Sequence, residues 1–199
     1  LVGLLILLAA AFNASASCET ALRNPSKAAE VVVASCDYTG VFSVGGLYQG
    51  EWKKLSYYYP KPWQGTFITV NVDGVYYSNS PHPADEALMD KYLISGPIIV
   101  GEVLSLQWML PEQIRVEQSF SLVANGTQVS VRLLNQDTVP HTVGVRFHLD
   151  TMLDENDGAP IYIPGSGLID SERAYSGSNL DFKYWKAYNQ PEDPTIVST

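Results

Sequence analysis

The sequence predicts an all-β protein, folded as an antiparallel β-sandwich with little helix. Composition is the first reason: of 199 residues, 12 are Tyr, 15 are Gly and 12 are Pro, and only 17% are charged, which is typical of strands and turns. The second reason is that several segments alternate apolar and polar side chains and are separated by turn-forming dipeptides. The length suits the core of one domain, which we assign to residues 17–199.

The clearest alternation surrounds Asn125-Gly126. Polar residues separate the apolar side chains before this dipeptide and after it, and a two-residue type I′ turn at Asn125-Gly126 brings the two apolar sets together. That turn places Phe120 opposite Val131 and Leu122 opposite Val129. The apolar residues are Ile114, Val116, Phe120 and Leu122 on the first strand and Val129, Val131 and Leu133 on the second.

A third alternating strand, residues 143–149, follows a loop that contains Pro140. We expect it to pair with the second strand, with Leu133 opposite Val143. The result is a three-stranded meander with one apolar face. A second sheet must cover such a face, and this requirement predicts the sandwich.

Two further elements are predicted before this meander. Asp73-Gly74 separates the apolar segments 66–72 and 75–78 and predicts a hairpin, in which Val72 lies opposite Val75 and Val70 opposite Tyr77. Residues 103–110 alternate as well, and therefore predict a strand with one buried side.

The chain begins with LVGLLILLAAAFNASA, residues 1–16. An apolar run followed by Ala-Ser-Ala resembles the end of a secretory signal peptide, so we interpret residues 1–16 as a partial one. The alternative is an apolar N-terminal segment that is retained and covered by a neighbouring subunit. The run is too short to give a stable membrane span. Residues 194–199 look like the start of a strand without a partner, and we expect the C-terminus to be truncated.

Cys18 and Cys36 are the two cysteines of the chain. An even count in a chain that looks secreted predicts a disulfide between them. Two free buried thiols, or lipidation of Cys18 after cleavage at Ser17, are the alternatives. The pair lacks the spacing and the nearby His of a zinc site.

The negative net charge argues against a nucleic-acid partner, and the acidic residues suggest a binding site for a cation. The formal net charge is -9, which repels phosphate backbones. Acidic residues concentrate in the segment DTMLDENDG, which begins at Asp150. Oxygen-rich loops of this kind bind Ca²⁺, with Asp150, Asp154, Asn156 and Asp157 as the candidate ligands. A solvated turn explains the same residues.

Aromatic residues concentrate between residues 52 and 77. Neighbouring strand residues face opposite sides, so the rings of 57–59 cannot all lie in the core. Exposed Tyr and Trp stack on sugars or anchor a protein partner, whereas packing in the core or over a sheet edge is the simpler explanation. The candidate platform consists of Trp52, Tyr57, Tyr59, Trp63 and Tyr77.

No catalytic constellation is recognisable. There is no G-x-S-x-G nucleophile motif, and Gly165-Ser166-Gly167 reads as a loop. The three histidines, His82, His141 and His148, are not spaced as metal ligands. These observations favour a protein that is not an enzyme.

Two segments carry a resemblance to known proteins. They are YYYPKPWQGTFITVNVDG, residues 57–74, and NQDTVPHTVGVRFHLDTMLDENDGAPIYIPG, residues 135–165. Both are similar to segments of poorly characterised secreted bacterial and archaeal all-β proteins. More loosely, the strands around Pro140 resemble galactose-mutarotase and glycosidase-accessory sandwiches. The catalytic His and Glu of those epimerases have no identifiable counterparts here, so the resemblance implies only a fold and a secreted location.

The sequence therefore favours a secreted or cell-surface structural or adhesive module, with self-association into a polymer or filament. Open strand ends, crowded tyrosines and the apolar N-terminal segment favour assembly. The alternative is a carbohydrate-binding or carbohydrate-active domain with an extracellular glycan as partner.

Overall fold

The computed structural model describes residues 17–169, 171, 173, 175, 182–190 and 197–198. Strands account for 53% of the described residues and helix for about 4%, which confirms the all-β prediction. The strands are β1 (Glu19–Asn24), β2 (Ala29–Ala34), β3 (Phe42–Tyr48), β4 (Glu51–Lys54), β5 (Phe67–Val72), β6 (Val75–Ser78), β7 (Ala87–Leu88), β8 (Leu93–Val100), β9 (Val103–Met109), β10 (Ile114–Val123), β11 (Gly126–Asn135), β12 (Val143–His148), β13 (Ile161–Ile163), β14 (Gly167–Ile169), β15 (Lys186–Tyr188) and β16 (Val197–Ser198). Two 3₁₀ turns, Pro25–Lys27 and Met89–Tyr92, complete the elements.

The strands form four sheets of four strands each, in a propeller-like ring that is not clearly the predicted two-sheet sandwich. Sheet I has the order β1-β2-β3-β4 and sheet II the order β12-β5-β6-β7. Sheet III has the order β11-β10-β9-β8 and sheet IV the order β14-β13-β15-β16. Among the described strands, all pairings are antiparallel except that of β6 with β7.

Sheets I, II and III share one apolar core. Their inward positions alternate with half-exposed positions most regularly in β9 and β10, as the sequence predicted. Phe42 of sheet I meets Phe120 of sheet III edge to face, with ring centroids 5.1 Å apart. Sheet II contributes Ile68, Val70 and Val72, which are fully buried. A second cluster, with Leu153 and Ala187 at its centre, joins sheet IV to the acidic segment.

The hairpin at Asp73-Gly74 is confirmed. Asp73 has φ +49° and Gly74 φ +90°, the left-handed conformations that a type I′ turn requires. Val72 pairs with Val75, and Val70 pairs with Tyr77, as predicted.

The predicted register of β10 and β11 is wrong by two residues. Phe120 pairs with Val129 rather than with Val131, and Leu122 pairs with Thr127 rather than with Val129. The turn lies one residue earlier than predicted, and the backbone N–H of Asn125, at its tip, donates to Lys27 O at 2.8 Å. A shift of two residues leaves every side chain on its predicted face, so the alternation could not distinguish the two registers.

The predicted pairing of Leu133 with Val143 is also wrong. β12 joins β5 in sheet II, where Val143 pairs with Val72. The second neighbour of β10 is β9, so the meander that forms is β9-β10-β11. Alternation gives a strand its faces but does not choose its neighbours.

At the chain ends, the disulfide is confirmed: Cys18 and Cys36 are bonded, with a Cα–Cα distance of 5.0 Å. It lies where the chain enters β1 and leaves β2.

Residues 1–16, interpreted above as a partial signal peptide, lie outside the described residues. β16, within the segment expected to lack a partner, pairs with β15. None of the described helices has the length and apolarity that a bilayer crossing needs.

Candidate functional site

One apolar sheet face is left uncovered at β12. Val143, Val145 and Phe147 pair with Val72, Val70 and Ile68, and directly paired residues project from the same face of a sheet. The three β5 residues are 0% exposed, whereas Val143, Val145 and Phe147 are 44%, 39% and 43% exposed. The core face of sheet II therefore continues into solvent at its last strand. We name these three β12 side chains the open apolar face.

β11, the strand that precedes β12 in sequence, is the edge strand of sheet III and also has apolar side chains that are not fully covered. Val129, Val131 and Leu133 pack against the core but are only partly buried. β11 and β12 each keep one backbone edge without a strand partner within the described part of the chain. Two strand edges with apolar side chains are thus available for pairing.

Three other edge strands, β4, β7 and β8, carry features that block strand addition. β4 is charged at Glu51, Lys53 and Lys54, and β7 has only two residues. β8 contains Pro97 and two register shifts. Neither β11 nor β12 contains Pro, Lys or an acidic residue, and their ladders have no bulge. Such blocking features are the usual protection of exposed edges, and on β11 and β12 they are limited to one arginine each, Arg132 and Arg146.

The predicted aromatic platform does not form as one surface. Tyr59 is 4% exposed and Tyr77 is 3% exposed, so both belong to the interior. Trp52 lies apart on β4, where the guanidinium of Arg23 sits 4.7 Å above its ring. Tyr57 and Trp63 do meet, with ring centroids 5.1 Å apart.

Tyr59 is fixed by a buried network with sheet I. Its hydroxyl donates a short hydrogen bond to Glu30, which is 3% exposed and also pairs with Arg23 at 2.7 Å. Burial, and then the Glu30 carboxylate, raise the pKa of Tyr59 far above its ordinary value. Tyr77 behaves alike: its hydroxyl donates to Glu112 at 2.6 Å, and burial raises its pKa. Both hydroxyls therefore remain protonated and serve the fold.

The rings that do cluster are Tyr57, Tyr58, Trp63 and His82, which we name the aromatic cluster. Tyr58 stacks on Tyr57 with centroids 6.3 Å apart, and lies 5.4 Å from Trp63. His82 meets Trp63 edge to face at 5.8 Å. Tyr58 is 55% exposed, and His82 is exposed as well. This arrangement leaves aromatic surface available for a ligand.

A carboxylate holds Trp63 in place. The Trp63 indole N–H donates to Asp150 Oδ2 at 2.7 Å. The backbone of Asp150 is itself fixed, because its N–H donates to Thr66 Oγ1 at 3.2 Å and its carbonyl accepts from the Tyr57 N–H at 2.9 Å. A Cβ on Gly65 would lie 2.4 Å from Trp63 Nε1 and 2.7 Å from Asp150 Oδ2. Only glycine at position 65 permits this close approach.

Asp150 also lines a cavity of about 220 Å³ between sheet I, the start of β11 and the segment after β12. The Thr127 hydroxyl in its wall is buried and has no hydrogen-bond partner within the described part of the chain. The lining residues are Phe42, Val44, Leu55, Ser56, Thr66, Asn125, Gly126, Thr127, Val129, Leu149, Asp150, Thr151 and Trp185. The cavity thus combines apolar walls with a few polar groups, as ligand sites do.

Three of the four residues predicted as calcium ligands have separate partners. Asp150 binds Trp63, and Asp154 lies 3.7 Å from Lys53 Nζ. The Asn156 side chain donates to Asn189 O at 2.6 Å, and Asp157 is exposed. Among the described residues, no group of three or more His, Cys, Asp or Glu side chains is arranged to hold a metal ion. Calcium binding stays a prediction.

The three histidines have different surroundings and do not form a common site. His82 belongs to the aromatic cluster, and His148 stacks on Phe67 with centroids 4.9 Å apart. His141 lies between two carboxylates, with Nδ1 2.6 Å from Asp73 Oδ2 and Nε2 3.1 Å from Asp137 Oδ2. Both carboxylates raise the pKa of His141. This trio ties the Asp73-Gly74 turn to the loop that precedes β12.

Comparison with known proteins gives no match. No family model matches the chain, and neither a curated protein nor a solved structure is significantly similar to it. The resemblance to secreted all-β proteins and to mutarotase-like sandwiches therefore stays a prediction, and the site must be interpreted from its own geometry.

Sequence reasoning missed Tyr58, His82 and the bond from Trp63 to Asp150. It grouped Tyr57 with Tyr59 because alternate residues of a strand share a face. β4 ends at Lys54, however, and Tyr58 has φ +68° in a turn. Pro60 and Pro62, just beyond, were the local signal that the strand had ended.

Proposed function

We propose that this protein is a secreted or cell-surface structural or adhesive module that associates with further copies of itself through β11 and β12. The observation that carries the proposal is the open apolar face, where Val145 is 39% exposed although its partner Val70 is 0% exposed. Burial of such a face in an interface is favourable by about 25 cal/mol per Å² of apolar area.

A second copy of the chain is the partner that fits these edges. The net charge is -9, so two copies repel one another over most of their surface. β11 and β12 contain no acidic residue, and copies can meet there without opposed carboxylates. β11 of one copy and β12 of the next offer matching apolar alternation. Because the two edges differ, this contact is heterologous and continues into a filament when it does not close into a ring.

The extracellular location rests on two supports. The Cys18–Cys36 disulfide is of the kind that persists in oxidising compartments, and the apolar N-terminal sequence resembles part of a signal peptide. A covalent bond at the entry to sheet I suits a protein exposed outside the cell.

Two Val→Lys variants test the assembly. Val145→Lys places a charge on the open apolar face, whereas Val100→Lys does so on β8, where Val100 is 73% exposed. We expect light scattering and electron microscopy to show concentration-dependent oligomers or filaments for the wild type and for Val100→Lys, and monomers for Val145→Lys, with circular dichroism spectra unchanged. A monomeric wild type, or a Val145→Lys protein that assembles normally, would contradict the proposal.

A further inference from the structure

The aromatic cluster has features that self-association does not use. It lies around a turn after β4 rather than on the β11 and β12 edges. Its backbone is held firmly: Lys61 N–H donates to Tyr58 O at 3.0 Å, and Thr66 N–H donates to Trp63 O at 3.0 Å. Rings on a fixed backbone lose little entropy when a ligand binds.

Stacking surface and a hydrogen-bond acceptor occur side by side in this cluster. Trp63 and Tyr58 provide ring surface with centroids 5.4 Å apart. Asp150 uses Oδ2 to accept from Trp63, and its Oδ1 accepts no hydrogen bond within the described part of the chain. A free carboxylate oxygen next to aromatic rings suits a ligand with an apolar face and hydroxyl donors at its edge.

The adjoining cavity supplies further polar partners and limits the size of the occupant. Its volume of about 220 Å³ is below the ~300–1,000 Å³ of pockets for drug-sized ligands, so it admits about one sugar ring. The unpartnered hydroxyl of Thr127 lies in its wall. A buried hydroxyl without a partner costs free energy until a ligand satisfies it.

We propose that Tyr58, Trp63 and Asp150, together with the adjoining cavity, form a binding site for a neutral sugar unit of an extracellular glycan. The sugar ring stacks on the aromatic side chains and donates to Oδ1 of Asp150, which also lines the cavity, and Thr127 is available to a substituent or neighbouring unit that enters the cavity. Neutral sugars are favoured over anionic ones, because a carboxylate lies at the centre of the site and the chain carries a net charge of -9. The rings of this site lie apart from the proposed assembly edges, whereas Thr127 in the cavity wall belongs to β11.

The probes are cellohexaose, xylohexaose, mannohexaose and laminarihexaose, with a polyproline peptide as the comparison for a protein ligand. Calorimetry and quenching of tryptophan fluorescence report binding to the full chain. We expect at least one oligosaccharide to bind, and Tyr58→Ala, Trp63→Ala and Asp150→Asn each to weaken that binding tenfold or more. Tyr58→Ala removes an exposed ring, so it separates loss of binding from loss of folding.

Two matched controls complete the experiment. Tyr76→Ala removes another exposed tyrosine, 50% exposed on β6, and Asp37→Asn removes an exposed carboxylate next to the disulfide. Both should bind like the wild type. Absence of binding to all four oligosaccharides would overturn the proposal, as would binding that Tyr58→Ala leaves unchanged or binding of polyproline alone.

Discussion

The adjacent glycines of β3 offer a sharp test of the packing beneath Tyr59. A Cβ on Gly45 would lie 2.2, 2.4 and 2.6 Å from three ring carbons of Tyr59. Carbon atoms at rest are ~3.5 Å or more apart, so the ring would have to move by about 1.3 Å. Its hydroxyl could not then keep the hydrogen bond to the buried carboxylate of Glu30.

The expected cost of Gly45→Ala follows from two effects. Overpacking of a core costs ~1–3 kcal/mol, and loss of a hydrogen bond to a charged group costs ~1.5–3 kcal/mol. We therefore expect Gly45→Ala to lower the free energy of unfolding by about 3–5 kcal/mol. Urea denaturation followed by circular dichroism measures this difference.

Gly46→Ala is the control, because its Cβ would lie 3.1 Å from the flexible end of Leu55 and in ordinary contact, at 3.8 Å, with Ala28 O. We expect a change within about 1 kcal/mol for this variant. The double variant Gly45→Ala/Tyr59→Ala should lose less stability than the two single variants together, since the added methyl then occupies space that the ring has left. If Gly45→Ala were as stable as Gly46→Ala, the placement of Tyr59 beneath β3 would be refuted.

Two further predictions concern pH and calcium. The pKa of His141 is raised in the folded state, so protonated His141 stabilises the fold fully below pH 6.5, and this stabilisation is lost as pH rises through the raised pKa. The pKa values of Asp73 and Asp137 are lowered, so these carboxylates stabilise the fold above pH 3.8, and this stabilisation is lost as pH falls through the lowered pKa values. The melting temperature of His141→Gln should therefore fall below that of the wild type most strongly between pH 3.8 and 6.5, and a difference independent of pH would argue against the trio. If the acidic segment binds Ca²⁺, a free Ca²⁺ concentration of a hundred times Kd should stabilise the protein by ~2.7 kcal/mol. The melting temperature should then rise, and Asp157→Asn should reduce that rise. If Ca²⁺ leaves the melting temperature of the wild type unchanged, the segment is an ion-paired turn and not a calcium site.

The candidate site shows where sequence reasoning stopped. It placed Trp63 and Tyr57 in one five-residue platform because aromatic residues were dense in that segment, and these two rings do meet. It placed Asp150 with the acidic segment, since the two are neighbours along the chain. The contact between Trp63 and Asp150 joins residues 87 positions apart, and no local pattern encodes a contact at that separation.

Local chemistry was sufficient to predict the strands β5, β6, β9, β10, β11 and β12, the Asp73-Gly74 hairpin, the disulfide and the face on which each residue of β9, β10 and β11 projects. These features depend on the two-residue period of a strand and on the conformations that Gly, Asn and Asp accept. Tertiary structure alone decided that β12 pairs with β5, that β10 and β11 slide by two residues, and that Tyr58 rather than Tyr59 reaches the surface. Strand neighbours and side-chain cover result from the packing of distant segments against one another, and many arrangements satisfy the same alternation.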